Sequence, residues 1–228
     1  MRALPLLSLL VAVSGCGDNL TLPPEREPAT SDDPADLACT PDGDGVIARS
    51  ELAAAIGVPI GYLVSPPGVE RPVDLRGVPG DDGATVWDLS IDYADDRALR
   101  VTPSTPAGTW FEGSFPEEGA FVTSLDPEGR NLSIGVLRED GLYLLGVASA
   151  EADPPEGRTL LVYQEPILTL ALPVVVGNQH IAVGTIENGV IQGLPYAGRD
   201  VYEVAVDAVG ALDLPQLCLL YTSPSPRD

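Results

Sequence analysis

Acidic residues and glycines alternate over one short stretch, and its residue types are the ones in this sequence best suited to chemistry. Residues 40–51 read TPDGDGVIARSE, in which Asp42 and Asp44 each precede a glycine and Glu51 closes the stretch. Hard oxygens at alternating positions around a tight bend, followed by a carboxylate returned by the first turn of a helix, suit a divalent cation. The chemistry indicated here is metal binding rather than catalysis.

The stretch resembles the calcium loop of EF-hand and dockerin proteins. That resemblance implies Ca²⁺ as a cofactor and a ligand set of five residues: Thr40, Asp42, Asp44, Val46 through its carbonyl, and Glu51. It also places the sharp turn at Gly45 and an inward-packing apolar side chain at Ile47. Thr40 stands where the family has a leading Asp, so the implied affinity is near or weaker than the ~10⁻⁴–10⁻³ M of extracellular modules.

A second interpretation of the same residues needs no metal. In it, the Gly-Asp stretch is an ordinary turn, and its acidic side chains cap the short helix that follows. Both interpretations stay open, and under either one residues 39–57 form a local clasp, made of a calcium-loop-like turn and a short helix near Ser50–Ile56.

The first sixteen residues, MRALPLLSLLVAVSGC, predict where the chain resides. An apolar run of about ten residues after Arg2 is too short to span a ~30 Å hydrocarbon core, which favours a signal segment over a membrane helix. Small residues then lead into Cys16, and the whole resembles a bacterial lipoprotein signal peptide with its lipobox. The resemblance implies that residues 1–15 are removed and that Cys16 carries acyl chains that anchor the chain in a lipid bilayer.

The segment after the anchor, residues 16–38, is rich in Pro, Asp and Glu and has no apolar periodicity. It is predicted to be a disordered acidic stalk, because it cannot bury enough surface to offset its ordering entropy. For a lipoprotein of the kind that residues 1–16 resemble, Gly17 after the lipidated cysteine implies the outer membrane of a Gram-negative bacterium rather than the inner one. Whether the domain faces the periplasm or the cell surface stays open.

The last eleven residues, 218–228, read CLLYTSPSPRD and resemble the translation of a sequencing adapter rather than a protein segment. We therefore expect residues 58–217 to be a β-rich domain that is truncated at its C-terminal end. Of the three cysteines, Cys16 belongs to the anchor and Cys218 to this tail, which leaves Cys39 without a predicted disulfide partner.

The charge of the chain excludes one class of partner. The sequence has 34 acidic and 12 basic residues, for a net charge of −22. Such a surface repels phosphate backbones, so no nucleic-acid partner is expected. It also offers no basic patch for anionic lipid, so the predicted membrane contact is the acyl anchor alone.

Short β-prone runs separated by Gly, Pro and Asp fill the sequence from about Asp74 onward. Their spacing of roughly 8–12 residues is typical of an all-β protein, and we predict an antiparallel sandwich or an open or half barrel with one short N-terminal helix. Two hairpins are predicted, at Asp140-Gly141 and at Asn188-Gly189. Thr159–Tyr163 and Ile167–Leu172 are predicted as separate strands, and Ala211–Leu214 as the start of another.

Catalytic signatures are weak. His180 is the single histidine and lies in a β-prone run, and no nucleophile elbow, metalloprotease helix or phosphate loop is found. Glu117-Glu118 fits a solvated turn better than a pair of glycosidase carboxylates. The chain is predicted not to be an enzyme, and a hydrolase would need carboxylates clustered around His180 or Glu112.

Aromatic residues leave one further question open. Gly108–Phe115 reads GTWFEGSF, and its rings could form an exposed ligand platform or pack in the core, as expected for Trp87. The leading hypothesis is a non-enzymatic, membrane-anchored envelope lipoprotein with a binding or structural role. The alternative is a periplasmic carrier or chaperone that holds a lipid or apolar peptide in a curved sheet, which requires a large apolar groove.

Overall fold

The computed structural model describes residues 44–56, 58–80, 83–214 and 217–219, all within one compact unit. The predicted signal peptide, the stalk, Cys16, Cys39, Thr40 and Asp42 lie outside the described residues. Within the described part, no helix has the length and apolar character needed to cross a bilayer.

The described chain has one α-helix and twelve strands. The helix is α1 (Arg49–Ala55). The strands are β1 (Ile60–Val64), β2 (Val78–Pro79), β3 (Thr85–Asp88), β4 (Arg97–Val101), β5 (Phe121–Ser124), β6 (Asn131–Leu137), β7 (Gly141–Ser149), β8 (Leu160–Ala171), β9 (Gln179–Ile191), β10 (Leu194–Ala205), β11 (Gly210–Leu214) and β12 (Leu217–Leu219). A 3-10 turn, Glu112–Ser114, precedes β5.

Six consecutive strands, β5 to β10, form an antiparallel meander in chain order. A separate two-stranded sheet joins β1 and β4, and a four-stranded sheet has the order β12-β11-β3-β2. The prediction of an all-β, antiparallel fold with one short N-terminal helix is confirmed, and the described sheets do not close into a barrel. One pair departs from it, because β11 runs parallel to β3.

The Asp140-Gly141 hairpin is confirmed: β6 and β7 pair across it, and Arg138 N–H donates to the Gly141 carbonyl at 2.9 Å. The Asn188-Gly189 hairpin was wrong. Strand β9 runs through both residues, and the chain reverses at Gln192-Gly193, where φ is 49° and 77°. A two-residue turn that matches the strand twist needs positive φ at both positions, and this pair supplies it.

Strand β8 is longer than predicted. The two expected runs, Thr159–Tyr163 and Ile167–Leu172, merge into one 12-residue strand. The polar break between them does not end the strand, because β7 pairs with both halves across irregularities in its register.

Each face of the meander carries a cluster of buried side chains. Along β8, Leu160 and Val162 contact one core cluster, whereas Leu161 and Tyr163 belong to a second cluster. Alternate residues of a strand point to opposite faces, so the two clusters lie on opposite sides of the sheet. The first contains eight buried residues: Phe111, Phe115, Ala120, Val122, Ile134, Val136, Leu145 and Ala148.

The second cluster centres on Tyr163, Ile167 and Ile186, with exposures of 8%, 0% and 2%. The Tyr163 hydroxyl donates to Asp200 Oδ2 at 2.5 Å. Burial, reinforced by this bond, raises the pKa of Tyr163 far above its ordinary value. The phenol therefore stays protonated and holds β8 against β10.

Candidate functional site

The acidic loop leads directly into the only described helix. Gly45 has φ of 78°, the left-handed backbone that the tight bend requires. Asp44 Oδ1 accepts a hydrogen bond from Val46 N–H at 2.7 Å, and Glu51 Oε2 accepts one from Ala48 N–H, also at 2.7 Å. The second bond satisfies a backbone donor at the start of α1, which has no side-chain cap of its own because position 48 is alanine.

This loop and helix dock on one end of the meander at two separate turns. Ile47 and Val174 exchange two backbone hydrogen bonds, of 3.0 and 2.9 Å, which tie the loop to the β8–β9 connection. Arg49 Nε donates to the Arg138 carbonyl at 3.3 Å and lies 3.3 Å from Glu139 at the β6–β7 turn. The backbone pair is the stronger tie, at about 0.5–1.5 kcal/mol per bond, because Glu139 is 90% exposed and such ion pairs contribute little.

The described half of the loop fits a calcium site in part. The bend at Gly45 and the returning carboxylate of Glu51 are where the resemblance places them. The contacts of Asp44 and Glu51 are also those of a capped turn, and the described residues contain no group of three or more His, Cys, Asp or Glu arranged to hold a metal. Ile47 is 45% exposed and pairs through its backbone, so its predicted inward packing was wrong.

Arg138 connects the end of the meander on which the loop and helix dock to the first core cluster. Its guanidinium donates two hydrogen bonds to Glu117, Nε to Oε1 and Nη2 to Oε2, both at 2.9 Å, and it lies 4.5 Å above the Tyr143 ring. The hydrogen bond to Glu117 raises the pKa of Arg138. Glu117 was expected in a solvated turn, and it instead fixes the loop before β5 to the β6–β7 hairpin.

The aromatic residues of Gly108–Phe115 lie in the core rather than on a platform. Phe111 and Phe115 are 1% and 4% exposed and stack edge to face with ring centroids 6.0 Å apart. Trp110 packs against them, and its Nε1–H donates to the Ser149 carbonyl at 2.9 Å. Trp87 lies outside both core clusters, half-buried in the four-stranded sheet, with its Nε1–H bonded to the Leu75 carbonyl.

The residues considered for hydrolysis have other partners. His180 is half-buried, and its Nε2–H donates to the Leu168 carbonyl at 3.0 Å. Glu112 accepts a hydrogen bond from Gly108 N–H at 3.0 Å. Each of these side chains completes the hydrogen bonding of nearby backbone.

A cleft of about 290 Å³ opens between β4 and the edge strand β5. Ser104 and Val122 close one end with two backbone hydrogen bonds of 3.0 and 2.7 Å, and Arg97 bonds to Glu128 at 2.8 Å near the other. Hydroxyl groups dominate its polar lining: Thr102, Ser104, Thr123 and Ser124. One cation, Arg100, and one anion, Glu128, also line the cleft, together with apolar side chains of Leu99, Val101, Val122 and Leu132.

The β5–β6 turn at the base of this cleft is shaped by Asp126. Its carboxylate accepts hydrogen bonds from Arg130 N–H at 2.9 Å and from the Asn131 backbone and side-chain amides, both at 2.8 Å. Burial alone would raise the pKa of Asp126, but these bonds bring it below its ordinary value. No local pattern in the sequence predicts the cleft, because it depends on how two distant strands meet.

Comparison with protein-family models, with curated proteins and with solved structures finds no match for this chain.

Proposed function

We propose that the chain is a membrane-anchored lipoprotein of a Gram-negative cell envelope, with a non-enzymatic binding or structural role. In this proposal, acyl chains on Cys16 hold it in the outer membrane, and residues 16–38 space the β domain from the bilayer. The proposal rests on the resemblance of residues 1–16 to a lipoprotein signal peptide.

The observation that carries the structural part is the docking of residues 44–56. The segment next to the proposed stalk bonds to two separate turns of the meander, through Ile47–Val174 and Arg49–Arg138. The domain is therefore fastened at the point where a tether would enter it. A force applied through the stalk would act on these contacts before it acts on the core clusters.

Calcium is the proposed reinforcement of the clasp. The ligands would be Thr40, Asp42, Asp44, the Val46 carbonyl and Glu51, with carboxylate charge neutralised by the ion. The supporting observation is that the bend at Gly45 and the helix-borne Glu51 are both in place. Calcium titration followed by calorimetry tests binding directly, with magnesium as the competing ion.

The carrier alternative receives no support from the packing. A carrier needs an open apolar groove, whereas the side chains of Tyr163, Ile167 and Ile186 on one face of the meander are buried. At Gly184 on that face, even a methyl group would lie 2.5 Å from Ile167 Cγ1. For a binding role, the candidate is the cleft between β4 and β5, where hydroxyl groups lie beside apolar side chains.

The anchor is tested by expressing the full chain in a Gram-negative host with labelled palmitate. The proposal predicts label in the protein and recovery in the outer-membrane fraction, and Cys16→Ser should lose both. Cys39→Ser is the matched control and should keep both. Label retained by Cys16→Ser, or absent from the parent chain, would refute the anchor.

A further inference from the structure

Strand β10 leaves one edge of the meander without a partner among the described residues. The strand is 12 residues long, and it pairs with β9 along its other edge, from Ala205 opposite Gln179 to Leu194 opposite Ile191. A long unpaired edge presents a row of backbone N–H and C=O groups that can pair with another strand.

The direction of these groups follows from the inner ladder. Val206 N–H donates to the Asn178 carbonyl, and the Val206 carbonyl accepts from Gly177 N–H, both at 2.8 Å. Backbone groups alternate in direction along a strand, and the register from Gly198 to Ala205 has no irregularity. The backbone groups of Arg199, Val201 and Glu203 therefore point outward to the free edge.

The side chains of these three residues share one exposed face. Val201 is 51% exposed and lies opposite Val183 of β9, which is 41% exposed, while Ile181 beside it is 68% exposed. Arg199 and Glu203 are also exposed and flank Val201 symmetrically, two residues to either side. The edge therefore has an apolar centre with a cation on one side and an anion on the other.

We propose that β10 pairs with β10 of a second copy of this chain, antiparallel and centred on Val201. In that register, Arg199 of each copy lies opposite Glu203 of the other, and Val201 lies opposite its own copy. The outward backbone groups would form about six hydrogen bonds. Val183 and Val201 of both copies would make a continuous apolar row across the joint sheet.

Charge selects this register over its neighbours. Centring the pair on Arg199 would place two arginines opposite each other, and centring it on Glu203 would place two glutamates opposite each other. Like charges directly opposite are destabilising, whereas opposite charges stabilise a strand pair. Charged residues on an edge commonly block pairing, but here the twofold axis brings opposite signs together.

The test measures association of the full chain by sedimentation across a concentration series, with reductant present to exclude cysteine cross-links. The parent chain should show a concentration-dependent dimer. Arg199→Glu and Glu203→Arg should each weaken it about tenfold or more, since each places like charges together twice. The double variant R199E/E203R should restore the dimer to about the parent strength.

Two further variants separate edge pairing from general charge effects. Glu165→Arg, an exposed position on β8 with the same charge change as Glu203→Arg, should leave the dimer unchanged. Val201→Pro should abolish the dimer while keeping the far-ultraviolet circular dichroism spectrum, because the lost N–H points away from β9. A parent chain that stays monomeric, or a double variant as weak as the singles, would overturn the proposal.

Discussion

Gly184→Ala tests whether the second face of the meander is filled. Gly184 is buried in β9, and an added methyl would lie 2.5 Å from Ile167 Cγ1 and 2.6 Å from Tyr163 Cδ1, with Ile167 Cδ1 nearer still. Ile167 has 0% exposure and cannot swing outward. Overpacking of this kind costs about 1–3 kcal/mol, so we expect the free energy of unfolding to fall by that amount.

The matched control is Gly61→Ala in β1. A methyl there meets no atom within 4 Å, and the residue has no positive φ. Its effect should be neutral or stabilising by up to about 1 kcal/mol, because alanine restricts the unfolded chain. Any larger loss from Gly184→Ala is therefore steric.

Ile167→Val supplies a rescue, because it removes the Cδ1 atom that the new methyl would strike. Alone it should cost about 0.5–1.5 kcal/mol. Combined with Gly184→Ala, the loss should be smaller than the sum of the two by about 0.5 kcal/mol or more. Urea unfolding of each variant gives these values, and a harmless Gly184→Ala would show that the face has the free space a carrier requires.

Three other substitution sites test two hydrogen-bonded side chains and the backbone of the β9–β10 turn. Arg138→Ala should lower the free energy of unfolding by about 1–2 kcal/mol and Arg138→Lys should not restore it, since only the guanidinium fork spans both Glu117 oxygens; urea midpoints check this. Asp126→Asn should lower the free energy of unfolding at pH 7 by about 1–2 kcal/mol and make stability less dependent on acid pH. Folding lowers the pKa of Asp126, so the stability that its carboxylate contributes is present above about pH 4 and is lost as the pH falls further. Unfolding curves from pH 7 to 2 measure both effects. Gln192→Asn should raise stability by about 0.5 kcal/mol, since asparagine tolerates the positive φ of this turn better, while Gly193→Ala should lower it by about 1 kcal/mol in thermal unfolding.

The elements that follow from local chemistry were the predictable ones. The β6–β7 hairpin was foreseen because Asp140-Gly141 sits between two apolar runs, and α1 because an alanine-rich run follows the acidic loop. The second hairpin was misplaced because Asn188-Gly189 is the stronger local signal. In the structure, Gly189 pairs with Tyr196 of β10, which places Asn188-Gly189 within β9 rather than at its end.

Local sequence patterns did not predict the contacts between distant segments. The parallel pairing of β11 with β3 joins residues more than a hundred positions apart, and the Glu117–Arg138 pair converts an apparent surface turn into a structural contact. In the candidate site too, the local features were predictable and the long-range contact was not. The bend at Gly45 and the role of Glu51 at the helix start were readable from spacing, whereas the docking of Ile47 on Val174 was not.

The most direct test of the calcium clasp is thermal unfolding of the full chain in EDTA and in millimolar calcium, compared with Glu51→Gln. Glutamine keeps an oxygen that can accept from Ala48 N–H but removes the charge that an ion needs. Calcium should raise the melting temperature of the parent chain and leave that of Glu51→Gln unchanged. Equal melting temperatures in EDTA and calcium for the parent chain would contradict the proposed calcium site and reduce the segment to a capped turn.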